Sequence, residues 1–121
     1  MHMDTEQALT SLLDVAGVEG SFLVNRDGDL AAWNMPSTFD EGVLDEVSAK
    51  LHRFRDAFSI AGENLDTCTV RFTEYRLCLK VGEVGMLCVL ARHDVNMAAL
   101  RMASRLILNR IAPLARAEQG A

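Results

Sequence analysis

Met86-Leu-Cys-Val-Leu-Ala91 is apolar at every position, and the turn-forming Gly82-Glu83-Val84-Gly85 precedes it. A run this short is a strand, and a strand with no polar alternation has to be covered on both faces. That one segment commits the chain to a sheet with a layer on each side. The rest of the 121 residues must supply neighbours for the strand and covers for its faces. A chain of this length makes one domain, expected over residues 4–116, with 117–121 as a frayed tail.

Two hairpins can supply the neighbours. Phe22, Leu23 and Val24 form one apolar run and Leu30 to Trp33 another, with Asp27-Gly28 between them. That pair tolerates positive φ, the backbone condition of a tight hairpin loop. Strands are expected at about 20–25 and 30–34, after which Pro36, Ser37 and Thr38 break the chain. Asp66 to Thr73 alternates: Cys68, Val70 and Phe72 point one way, and Thr67, Thr69, Arg71 and Thr73 the other. After a turn at Glu74, Tyr75 to Val81 alternates again, with Leu77, Leu79 and Val81 inward and Arg76, Cys78 and Lys80 outward. The third strand, polar along one whole face, is expected at a sheet edge.

Three helices can supply the covers. Ala8, Leu9, Leu12, Leu13 and Ala16 form an amphipathic stripe over residues 4–16, with Asp4 or Thr5 to cap it and Gly17 to stop it. From Asp40 to about Ala61, Val43, Leu44, Val47, Leu51, Phe54 and Phe58 share one face, and Asp40-Glu41 favour the helix start. Lys50, His52, Arg53, Arg55 and Asp56 occupy the other face. A last helix, from Val95 to Ala115, can be capped by Asp94 or Asn96. Its apolar stripe reads Val95, Ala98, Ala99, Met102, Ala103, Leu106, Ile111 and Leu114, with Arg101, Arg105 and Arg110 on or near the polar side. Pro113 falls close to its end, where it costs least. The order α-β-β-α-β-β-β-α places the chain in the α+β class, as an antiparallel five-stranded sheet with helices on both faces.

Composition excludes several functions. Half of the residues are hydrophobic and 24% charged, so a packed core is expected and disorder is not. The net charge is −5 with both signs mixed and no basic stripe, which argues against nucleic acid. Apolar runs fall far short of the roughly 18 residues that span a bilayer, and Asp4 and Glu6 interrupt any signal peptide. Cys68, Cys78 and Cys88 are odd in number and form no Cys-x-x-Cys pair, so a reduced, cytoplasmic setting is expected. Each lies in an apolar run and reads as a core thiol before a metal ligand. Met1-His2-Met3 resembles a cloning scar ahead of a start at Met3, and His2 carries no functional weight.

Three segments, taken with this order of elements, resemble the Roadblock family, which comprises Roadblock dynein light chains and bacterial MglB-like regulators of small Ras-like GTPases. They are Val15-Ala-Gly-Val-Glu-Gly-Ser-Phe-Leu-Val-Asn-Arg-Asp-Gly-Asp-Leu30, Thr69-Val-Arg-Phe72 with the Leu-rich strand after it, and Val95-Asn-Met-Ala-Ala-Leu-Arg-Met102. The similarity covers most of residues 5–114. It implies a profilin-like sheet of order 2-1-5-4-3, with the second helix on one face and the first and third on the other. It also implies homodimers in which third strands pair across a two-fold axis and second helices pack together. The implied interface comprises Val47, Leu51, Phe54, Arg55 and Phe58 of the second helix and Thr67, Thr69, Val70, Arg71 and Thr73 of the third strand. The implied partner is a small Ras-like GTPase whose own catalytic parts are repositioned, so no catalytic residue and no cofactor are expected here. Some MglB-like proteins contact their GTPase with a C-terminal extension that this chain lacks, so strong activation is not expected. The residues agree on physical grounds. A Thr-rich edge strand with no Pro and a single charge is an open template, and symmetric pairing satisfies both partners' main-chain groups at once. The helix carrying Phe54 and Phe58 has more apolar width than one sheet face needs.

The remaining chemical signals are weak. Asp27-Gly28-Asp29 lacks the further oxygen ligands of a calcium loop and reads as a turn. His52 and His93 have no ligand-spaced partners and are expected at the surface. Ser21, Ser37 and Ser48 sit in no nucleophile pattern, and Gly17, Gly20, Gly82 and Gly85 make no phosphate-cradling loop. Arg53 and Arg55 read as a solvated or salt-bridging pair before an arginine finger, and Trp33 as core before a partner contact. Two alternatives to the GTPase reading stay open. One is an adaptor that dimerises without touching GTP hydrolysis. The other is a small-ligand sensor, which requires a pocket that the mostly large aliphatic filling disfavours.

Overall fold

The structure, a computed structural model, describes residues 5–119, with side chains as far as Leu114. The proposed Asp4 cap, Met1-His2-Met3 and the last two residues of the tail lie outside the described residues. Helix α1 (Thr5–Thr10) runs into a 3-10 turn (Ser11–Asp14). Strands β1 (Val18–Asn25) and β2 (Leu30–Asn34) follow, then α2 (Glu41–Ile60), β3 (Thr67–Arg71), β4 (Tyr75–Gly82), β5 (Gly85–Arg92) and α3 (Met97–Gln119). The sheet has the order β2-β1-β5-β4-β3, antiparallel throughout.

The apolar run is the centre of the sheet, buried from Gly85 through Ala91 between β1 and β4. Its side chains alternate between two cores. Leu87, Val89 and Ala91 join Ala8, Leu9 and Leu12 from α1 and its 3-10 turn, and Leu100, Ile107, Leu108 and Ile111 from α3. Met86, Cys88 and Leu90 join Phe22, Val24, Leu77 and Leu79 beneath Leu44 of α2. The sheet is thus the middle of three layers, with α1 and α3 on one face and α2 on the other.

Local chemistry fixes the first hairpin. Asn25 Oδ1 accepts hydrogen bonds from the N–H groups of Asp27 and Asp29, both at 3.0 Å, and the Asn25 N–H donates to Asp29 O at 2.8 Å. Gly28 supplies the left-handed step at φ 93°, where a side chain would be strained and would also strike His52. The Asp-Gly-Asp sequence is therefore a turn organised by Asn25. Asp40 caps α2, its Oδ1 accepting from the Val43 N–H at 2.9 Å.

Several expectations need correction. The first helix is not continuous: the α-helix ends at Thr10, the 3-10 turn tightens after it, and Leu13 is left 43% exposed. Phe72 lies beyond β3 and is 53% exposed, so the inward alternation stops at Val70. Cys78 does not point to solvent but is half-buried against the core beneath α3. That strand has a helix on each side, so neither face of its middle is free. The buried stripe of α3 is Leu100, Ser104, Ile107, Leu108 and Ile111, while Met102 and Leu106 are 65% and 61% exposed. One polar residue at position 104 hides that i, i+4, i+7, i+8, i+11 pattern from a count of apolar residues. Pro113 lies inside α3, which continues to Gln119. His52 and His93 are half-buried rather than superficial. His93 Nε2 lies 3.0 Å from Phe72 O and 3.2 Å from Thr73 O, tying the β3–β4 turn to the end of β5.

Candidate functional site

Strand β3 borders the sheet, and its ladder with β4 shows which main-chain groups remain open. The Val81 N–H donates to Asp66 O at 2.8 Å, and the Phe72 N–H donates to Tyr75 O at 2.7 Å. In an antiparallel pair, bonded and non-bonded residues alternate. With Cys68 opposite Leu79 and Val70 opposite Leu77, those pairs carry the bonds in between. The N–H and C=O groups of Thr67, Thr69 and Arg71 therefore point away from the sheet. Side chains divide by the same alternation. Cys68 and Val70 pack into the α2-side core, while Thr67, Thr69 and Arg71 face the α3 side.

Helix α2 changes character along its length. Leu44 and Ser48 are fully buried, and Val47 and Leu51 pack partly into the core. Beyond them the helix shows apolar surface: Phe54 is 40% exposed, Phe58 36% and Ile60 87%. The two rings meet edge to face, with centroids 5.1 Å apart. Arg55 is half-buried, and Arg53 is exposed. Thr73 lies in the β3–β4 turn, outside the strand and exposed. Ile60 was not among the expected contact residues because it falls off the Phe54–Phe58 stripe, at the last residue of the helix. Among the described residues, no helix is long and apolar enough to cross a membrane.

The Roadblock/LC7 domain family matches residues 4–91, most of the chain. The chain belongs to the Roadblock/LC7 family. No curated protein matches it by sequence. Its fold is shared with a Roadblock/LC7 domain from Streptomyces avermitilis (18% identity, 90% of this chain and 95% of that one, TM-score 0.75). It is also shared with MglB from Myxococcus xanthus (14%, 95% and 97%, TM-score 0.78) and, less closely, with MglC from the same organism (19%, 93% and 96%, TM-score 0.57).

This Roadblock/LC7 domain carries a second feature, on the opposite face of β3. A cleft of about 270 Å³ opens between the strands β3–β4 and the first turns of α3. The sheet contributes Thr67, Thr69, Cys78 and Lys80, and the helix contributes Met97, Arg101 and Ser104. Burial pushes the Cys78 thiol up from its ordinary range, while a hydrogen bond with Thr69 and the charges of Arg76 and Arg101 pull it back. The sequence disfavoured a pocket because its filling is mostly large and aliphatic, and Thr67 and Thr69 read as solvent-facing and Cys78 and Lys80 as outward. The missed signal was the pairing of those outward faces beneath an α3 whose buried stripe includes Ser104.

Proposed function

We propose that this Roadblock/LC7 domain is a homodimeric, non-catalytic regulator that binds a small Ras-like GTPase. The observation that carries the reading is that the molecule leaves two features uncovered, an open strand edge and an apolar helix surface. Open main-chain groups of Thr67, Thr69 and Arg71 belong to the same chain as the half-uncovered Phe54, Phe58 and Ile60 of α2. An unpaired edge strand is a template for another strand. A two-fold operation offers each copy the complement it lacks. Val70 and Cys68 on the α2 side of β3 would continue the apolar floor across the joint, with Val47 and Leu51 behind it and Arg55 toward its rim. Family resemblance supplies the GTPase as partner, and the fold shared with MglB supports it. The domain would act by binding and by positioning the GTPase's own groups.

The test is a titration of the dimer against Ras-like GTPases encoded in the source genome, each loaded with GDP or with a non-hydrolysable GTP analogue. Saturable binding that depends on the nucleotide is the expected result. Absence of binding to all of them in both states would overturn the reading. Binding with unchanged hydrolysis would identify an adaptor rather than an activator.

A further inference from the structure

We propose that the cleft between β3–β4 and α3 binds a small organic oxyanion, a phosphate or carboxylate head on a body of metabolite size. Ser104 carries the argument furthest. It is 6% exposed and lines the cleft, yet its Oγ makes no hydrogen bond among the described residues. The residue is buried but its oxygen is not sealed from solvent, so the hydroxyl stands open to the cleft as a donor for whatever enters there. The charges of the lining specify the kind of partner. Arg101 and Lys80 line the cleft and no acidic residue does. Arg101 is in no ion pair among the described residues. Lys80 meets only the exposed Asp66, at 3.5 Å.

The surroundings reinforce the sign. Arg76 lies two residues from Cys78 on the same face of β4, its Nε buried without a partner and its Cα opposite Arg71. Such a concentration of cations in a chain of net charge −5 is unbalanced locally. Two cations and the free hydroxyls of Ser104 and Thr67 match the donor set that an oxyanion needs, with Arg suited to two-point contact. Met97 and Leu100 give the rest of the ligand an apolar wall. The volume lies just below the roughly 300–1,000 Å³ of drug-sized sites, so a compact metabolite fits and an extended chain does not. All these groups belong to one chain, so the site stands independently of any GTPase partner.

The experiment titrates the full chain with inorganic phosphate, glycerol phosphate and succinate, using calorimetry and thermal shift. Sodium chloride at matched ionic strength and neutral glycerol serve as controls. A saturable response to at least one anion is expected, and the preference between phosphate and succinate identifies the head group. Arg101→Ala, on an exposed helix position, should weaken binding by at least about tenfold. Ser104→Ala should weaken it as well while leaving the unliganded protein about as stable as before, since the hydroxyl it deletes opens to the cleft and makes no hydrogen bond among the described residues. Bound anion should also slow modification of Cys78 by a thiol reagent. A response no larger than that of chloride, or one that survives Arg101→Ala, would overturn the proposal.

Discussion

Replacing Thr69 with proline tests the proposed strand pairing while keeping the β3–β4 ladder, losing within the chain the Thr69 side chain's hydrogen bond with Cys78. The Thr69 N–H points away from β4, because the ladder between them runs through Cys68 and Val70. Proline is tolerated on an edge strand when its missing N–H faces outward. The substitution leaves the β3–β4 bonds intact while removing one donor per protomer from the joint. Two hydrogen bonds per dimer, at about 1 kcal/mol each, disappear. The two carbonyls left behind cost about 1–3 kcal/mol each if they stay dry and little if water reaches them. The loss is thus about 2 kcal/mol at least and about 4–8 kcal/mol with dry carbonyls. At 1.4 kcal/mol per factor of ten, the dimer dissociation constant should rise by about thirtyfold at minimum and by several orders of magnitude at most. Sedimentation equilibrium over a wide concentration range reads that constant, and circular dichroism verifies that the monomer still melts cooperatively. A well-folded Thr69→Pro variant with the wild-type dimer constant would refute pairing through β3.

Other consequences are as direct. Phe54→Ala and Phe58→Ala should each weaken self-association, by up to about 2 kcal/mol per protomer from the uncovered share of a ring of about 200 Å², read by the same sedimentation assay. Gly85→Ala should destabilise the fold by more than about 2 kcal/mol in urea denaturation, since φ is 142° and a Cβ would strike the Val24 carbonyl in the adjoining strand. Asp40→Ala removes the cap of α2 and should cost about 1 kcal/mol in the same assay. Cys88 is fully buried, and burial pushes its thiol well above the ordinary 9.0. Below that pH both states hold the proton and stability is unaffected; above it the unfolded chain releases the proton while the folded one keeps it. Stability should therefore fall by about 1.4 kcal/mol per pH unit above about pH 9, and Cys88→Val should flatten that decline, leaving the smaller share due to Cys78.

Legibility in the sequence followed how many faces of an element are decided. β5 is buried on both sides, so its composition alone identified it as central. The Asp27-Gly28 turn was readable because one residue has to adopt positive φ there. α2 was readable at its start, where Asp40 caps it and Leu44 is buried. Less was legible toward its end, since the pattern that places Leu44 inward also includes Phe54 and Phe58, which are partly exposed. In the proposed dimer that stripe would record cover from two chains, of which one supplies only part.

The α3 side failed for a different reason, and the failure locates the chemistry. Outward residues of β3 and β4 were read one strand at a time as solvated: threonines, a cysteine, a lysine. Only the sheet register brings Thr69 opposite Cys78 and Thr67 opposite Lys80 on one face. Only the true phase of α3 then sets Ser104 and Arg101 above them. Counting apolar residues shifted that phase, because a serine occupies a core position where alanine would serve packing better. Ser104 spoils a hydrophobic stripe and gains no hydrogen bond among the described residues, but its oxygen reaches the open cleft rather than a sealed core. In the proposed oxyanion site Ser104, Arg101 and Lys80 face one ligand, and a Ser104→Ala variant with unchanged stability but weakened anion binding would favour a binding role for the serine over a packing one.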